Sequence, residues 1–144
     1  MNTTQTNGVG TRRAFFGKDT CLVFQMNAES KKVFLDVGKK GPTGWTWRKA
    51  KVNDEELAEI LMVIQKEKNE ASFFHSYGAK QTKIWVTRKD DHVFVRIEDQ
   101  SKALTPAQQT VLAVLLRDAI VALNVDEGRS AKREEPAVEV ETVA

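Results

Sequence analysis

Val33-Phe34-Leu35-Asp36-Val37 lines up with Val93-Phe94-Val95-Arg96-Ile97, and this repeat decides the fold. Each copy alternates aliphatic residues with other side chains at the period of a β-strand, so each has one apolar face. Each lies in a hairpin region followed by a capped amphipathic helix. Two copies of a strands-then-helix unit predict an α+β chain of two antiparallel β-sheets with helices on one side.

The flanking segments fit that plan. Asp19 to Ala28 and Lys32 to Lys39 read as strands, and Gly44 to Val52 as the next. Asn53, with Glu56 three residues on, caps a helix carrying Leu57, Ile60, Leu61 and Ile64 as far as Glu67. Ala71 to Ser76 is a further strand. Thr82 to Arg88 and His92 to Glu98 form a hairpin around Lys89-Asp90-Asp91. Thr105, Pro106 and Gln108 open the last helix, which runs to Leu123. Its apolar residues, from Val111 to Leu123, spread over a wide arc, and a helix of that kind is buried on several sides. In a small domain this predicts a subunit interface.

Chemistry enters with Gly44-Trp45-Thr46-Trp47-Arg48-Lys49-Ala50-Lys51-Val52. As a strand it sends Trp45, Trp47, Lys49 and Lys51 one way and Thr46, Arg48, Ala50 and Val52 the other. Two indoles and two ammonium groups on one surface suit a ligand with flat rings and negative charges, and single-stranded nucleic acid is such a ligand. The later hairpin repeats the pattern. Ile84, Val86, Val93, Val95 and Ile97 form its apolar face, opposite Lys83, Trp85, Thr87, Lys89, His92, Phe94 and Arg96. Alternation leaves open which tryptophan-bearing face meets solvent, and core positions for Trp45 or Trp47 stay open with it.

Composition narrows the classes. The 144 residues are 41% hydrophobic and 29% charged, the range of one globular domain. Cys21 is the lone cysteine, so no internal disulfide forms, no zinc cluster is expected, and a reducing setting is implied. No run reads as long and apolar enough to cross a membrane. No cofactor motif, phosphate loop or catalytic triad order appears. The adjacent acidic pairs fall at a helix start, a turn and a tail, so a non-enzymatic protein is expected. Net charge is +2, with −3 carried from Val125 onward and +5 on the rest. A basic body with an acidic tail favours nucleic-acid partners. The predicted organisation is a flexible N-terminal arm over 1–14, a binding domain over 15–124 and a disordered acidic tail over 125–144.

Phe16-Gly17-Lys18, the Trp45-Thr46-Trp47-Arg48-Lys49 strand, Phe73-Phe74-His75 and the final helix from Leu104 to Leu123 together resemble the Whirly single-stranded DNA-binding proteins, whose fold is PC4-like. The likeness spans residues 15–123. It implies two sheets packed nearly perpendicular, and a homotetramer held through the helices. It also implies single-stranded DNA binding with little sequence preference. Lys18 falls within the family's Lys-Gly-Lys-Ala motif, where this chain has Phe16 for the first Lys and Asp19 for Ala. The chain is more compact than the plant members, which implies a prokaryotic or phage version in a cytoplasm rather than an organelle.

Lys18, Lys49, Lys51, Lys83, Lys89 and Arg96 are the candidate phosphate contacts. Trp45, Trp47, Trp85 and Phe94 are the candidate stacking platforms. Single-stranded DNA in replication, repair or transcription is the expected ligand and setting, with replication or repair proteins as partners of the acidic tail. An RNA or guide-RNA chaperone role and a protein-interaction module are the competing readings.

Overall fold

The computed structural model describes residues 10–125. The chain runs β1 (Gly10–Phe16), β2 (Thr20–Asn27), β3 (Lys32–Gly41), β4 (Gly44–Val52), α1 (Asp54–Ile64), β5 (Glu70–Tyr77), β6 (Lys80–Lys89), β7 (His92–Ile97), β8 (Gln100–Leu104) and α2 (Pro106–Asn124). Strands β1 to β4 form one antiparallel meander and β5 to β8 a second. The sequence repeat is therefore a structural one. The Val33 segment lies in β3 and the Val93 segment in β7, the third strand of each sheet.

Register explains why each sheet has one dry face. In the first sheet Phe15 pairs with Leu22, Leu22 with Val37, Phe24 with Leu35, and Leu35 with Ala50. In the second, Ile84 pairs with Ile97, Val86 with Val95, and Val93 with Leu104. Partners directly opposite share a face, so these residues form continuous apolar surfaces. All of them are buried in one core with Leu57, Ile60 and Val63 of α1 and Leu112, Leu116 and Ala119 of α2. β3 packs against β7 and β8, and α1 lies on β5, β6 and α2.

Both helices start as the sequence predicts. Asn53 Oδ1 accepts from Glu56 N at 2.8 Å while Glu56 returns a bond to Asn53 N. Thr105 and Gln108 form the same reciprocal box on α2. The helix ends are held by side chains from afar. Arg88 donates to Val63 O at 3.2 Å and Ile64 O at 2.7 Å at the end of α1, and to Gln109 Oε1 at 3.0 Å on α2. Lys31 donates to Ala122 O and Val125 O at 2.9 and 2.8 Å. A cation on C-terminal carbonyls also meets the negative end of the helix dipole.

Several boundaries differ from the sequence reading. Gly10 to Ala14, read as part of a flexible arm, is strand β1. Only Phe15 of β1 is buried, so an edge strand of this composition carries almost no period-two signal. β8 was not anticipated either, because Gln100 and Lys102 take inner-face positions that usually hold apolar residues. α1 ends at Ile64, three residues short of Glu67, and Lys66 turns with φ 68°. α2 is, by length and composition alone, long and apolar enough to cross a membrane, contrary to the sequence reading. Arg117 and Asp118 near its middle and its packing on α1 and β8 mark it as a helix of this fold. The first nine positions of the predicted arm, and 126–144 of the acidic tail, lie outside the described residues.

Candidate nucleic-acid interface

Each sheet turns its second face outward. On the first sheet that face carries Phe16 from β1, Phe34 and Lys40 from β3, and Trp45, Trp47, Lys49 and Lys51 from β4. Trp45 and Trp47 are 37% and 41% exposed, so neither is a core residue. They stack on each other with ring centroids 5.5 Å apart and planes 21° from parallel. Phe16 meets Trp45 edge-on at 6.3 Å. Offset and edge-on geometries of this kind are favoured by the ring quadrupoles.

Gly38 makes the platform possible. It pairs with Trp47 across β3 and β4. A Cβ there would meet Cε3 of the Trp47 indole at 2.5 Å and Cζ3 at 2.6 Å. Its missing side chain leaves room for the indole to lie against the sheet while Trp47 stays 41% exposed. No turn or positive φ demands this glycine, so its reason is the close approach of the ring.

Cations surround the rings. The Lys49 ammonium lies 4.7 Å from the Phe34 centroid, and Lys51 pairs with Phe34 across the strands. Lys40 stands opposite Trp45. Arg48, on the inner side of β4, makes a two-pronged ion pair to Asp99 in the β7–β8 turn, Nε to Oδ1 at 2.9 Å and Nη2 to Oδ2 at 3.4 Å. That pair ties the tryptophan strand to the second sheet.

The second outer face is built alike with different details. Arg96 lies 4.7 Å from the Trp85 ring and donates to Glu98 O at 2.7 Å. Lys83 lies 5.6 Å from the Phe74 ring. Trp85 is half-buried and Phe94 exposed, with Phe94 paired to Thr87 and Ala103. Lys89 closes β6 at the Asp90–Asp91 turn, opposite His92.

The ten sequence-predicted residues thus divide. Trp45, Trp47, Lys49 and Lys51 come together on the first face, and Lys83, Trp85, Lys89, Phe94 and Arg96 belong to the second. Lys18 belongs to neither, being exposed in the bend between β1 and β2. That bend is anchored by Gln108 Nε2, which donates to Phe16 O at 3.0 Å. The sequence reading passed over Phe34, Lys40 and Gly38 on the first face and Phe74 on the second. Phe34 is legible from strand alternation, which sets it and Asp36 on the face opposite Val33, Leu35 and Val37. Gly38 is not, because its neighbour Trp47 comes from another strand.

Two buried titratable groups lie close to these faces. Burial raises the Cys21 thiol, despite a backbone hydrogen bond at Phe15 and the positive charges of Lys102 and Arg12. Burial lowers Lys102, whose ammonium donates to Ala103 O and Gln108 Oε1.

No family model and no curated protein sequence matches the chain. Solved structures do match. The plant transcriptional regulator PBF-2 is 14% identical over 82% of this chain and 84% of that one, with a TM-score of 0.59. WHY1 from Arabidopsis thaliana is 12% identical over 83% of this chain and 88% of that one, at 0.64. WHY3 from the same plant is 13% identical over 83% and 90%, at 0.59. The neighbours are Whirly proteins, and the chain has their α+β fold of two antiparallel four-stranded sheets and two helices. Identities this low carry the fold and leave the chemistry of the site to the residues themselves.

Proposed function

We propose that the chain is a non-enzymatic binder of single-stranded DNA, largely indifferent to sequence. The observation that carries this reading is the Trp45–Trp47 stack, seated on Gly38 at the solvent surface and flanked by Lys40, Lys49 and Lys51. Splayed bases stack on such rings, each stack contributing about 1–3 kcal/mol. Lysines beside them neutralise phosphates and release counterions. A flat sheet has no element to enter a duplex groove, and paired bases hide their faces, so duplex binds weakly. The Whirly fold of the neighbours, one of them a plant transcriptional regulator, fits this reading. Replication, repair and transcription are the processes that expose such strands.

A second observation bears on assembly. Val114 and Val121 of α2 are 51% and 59% exposed, with Met62 of α1 and Val111 of α2 also open to solvent. This is the wide apolar arc foreseen in the sequence, and a homotetramer closing on the helices would cover it.

The test is a titration of the full chain with oligo-dT, oligo-U and duplex of equal length, followed by tryptophan quenching. Binding of oligo-dT that weakens steeply with salt, and weak binding of duplex, supports the reading. Preference for oligo-U moves it to RNA. No salt-sensitive binding of any oligomer refutes it in favour of a protein-interaction module.

A further inference from the structure

Phe16 is the most exposed ring on the first outer face, at 63%. The register sets it in one row with Cys21, Gly38 and Trp47, so it stands on β1, at the opposite edge of the sheet from the tryptophans of β4. Three strand spacings of about 4.7–4.9 Å separate β1 from β4, roughly 14 Å in all. Yet the Phe16 and Trp45 centroids lie 6.3 Å apart, with the planes 73° from parallel. The gap closes because the two middle positions of the row hold the small residues Cys21 and Gly38. Phe16, Trp45 and Trp47 therefore form one run of rings across the sheet, and Phe16 keeps most of its surface open at the far end.

Side chains from the other half of the chain fix the backbone that carries this ring. Gln108, in the first turn of α2, donates from Nε2 to Phe16 O at 3.0 Å. Its Oε1 accepts from Thr105 N at 3.1 Å and from Lys102 Nζ at 3.2 Å. A backbone N–H and an ammonium only donate, so they fix which end of the amide faces Phe16 O. Lys102 is itself buried and donates to Ala103 O as well. Gly17 N donates to Thr20 O and Lys40 N to Asp19 O, both at 2.8 Å, which ties the bend to β2 and β3. A Cβ on Gly17 would lie 3.2 Å from Lys102 Nζ, so the missing side chain lets the bend lie close over the ammonium. Capping of α2 uses only Oε1 of Gln108 and leaves its bond to Phe16 O without a role in the helix.

We infer that Phe16 is a third stacking ring for single-stranded DNA, and that Gln108 is the positioning residue that holds it in line with Trp45 and Trp47. This deepens the function proposed above and rests on it. A strand laid across the sheet from β4 to β1 meets the tryptophans first and Phe16 at the far edge. An open ring face stacks on any base, so the contact adds affinity without sequence preference. Phe16 is neutral, so it releases no counterions. A ring whose backbone is already anchored has less freedom to lose when a base docks, and that saving appears as affinity.

The test measures oligo-dT binding by the full chain over a series of salt concentrations. Phe16→Leu should weaken binding at least about fivefold, the lower end for one lost stack, with the salt slope unchanged. Phe16→Tyr keeps a ring and should bind within about twofold of the unaltered chain. Gln108→Glu keeps an acceptor for Thr105 N and Lys102, and a capping box accepts it, but it turns an oxygen toward Phe16 O. It should cost a large part of the Phe16→Leu loss. In a Phe16→Leu background the same change should cost clearly less, because only its added charge is left to act. Circular dichroism checks that the variants fold, and the exposed Phe16 pair decides the matter even where Gln108→Glu does not. Equal affinities for Phe16→Leu and Phe16→Tyr, or a Gln108→Glu cost that is the same in both backgrounds, overturn this inference alone. Absence of salt-sensitive binding by the unaltered chain overturns it together with the function it rests on.

Discussion

Gly38→Ala should disable the tryptophan platform while leaving the sheet intact. The added Cβ would fall 2.5 to 2.8 Å from Cε3, Cζ3 and Cδ2 of Trp47. Carbon atoms rest about 3.5 Å apart, so the indole must move off the sheet by roughly 1 Å or swing to another rotamer. Either movement breaks the alignment with Trp45, now 5.5 Å between centroids. The expected loss is one base stack, about 1–3 kcal/mol, or some fivefold to 150-fold in affinity for oligo-dT. Backbone strain plays no part, since Gly38 has no positive φ. The unfolding midpoint in urea should therefore fall only modestly, by roughly 1 kcal/mol or less in stability. The decisive comparison is a double-mutant cycle with Trp47→Ala. If the glycine acts through the ring, the double variant binds as weakly as Trp47→Ala alone, a large departure from additivity. Unchanged oligo-dT affinity in Gly38→Ala, or strictly additive losses, would refute the reasoning.

Replacing both Lys49 and Lys51 with alanine should flatten the plot of log affinity against log salt by about 1.4, because each phosphate neutralised on a single strand accounts for near 0.7 of the slope. Arg88→Met should cost about 2–4 kcal/mol in urea denaturation, because Val63 O, Ile64 O and Gln109 Oε1 each lose a charged donor. Oligo-dT affinity well below the midpoint should not change, since Arg88 is on neither outer face. Asp36, whose folded pKa is raised by burial, binds its proton more tightly in the folded state. Its contribution to stability therefore declines as pH rises from its unfolded value through the raised folded one. Asp36→Asn should remove that acid-range decline in thermal melts, and an identical pH profile would count against it. Glutamate at both Val114 and Val121 should reduce the particle mass in light scattering to that of a single chain, if the open face of α2 is where copies meet.

Much of the fold is legible in the sequence, and for a local reason. Alternation in β3, β6 and β7, and the reciprocal caps Asn53–Glu56 and Thr105–Gln108, involve residues a few positions apart. The Val33 and Val93 segments revealed a repeat because both sheets need the same apolar inner stripe in their third strand. β1 and β8 escaped because their pattern is set by neighbours. Edge strand β1 buries a single residue that decides nothing locally, and β8 hides Lys102 by bonding it to Gln108.

The candidate site shows the same division. Sequence alone determined that Trp45, Trp47, Lys49 and Lys51 share a face, because a strand has no other way to arrange alternate side chains. Only the tertiary structure decided that this face is the open one. It also decided that Gly38 underlies Trp47, and that Asp36 Oδ1 is buried with no hydrogen-bond partner among the described residues. These are cross-strand and cross-layer facts. They depend on register and on which side of each sheet meets the core, and those are set by packing among residues far apart in the chain.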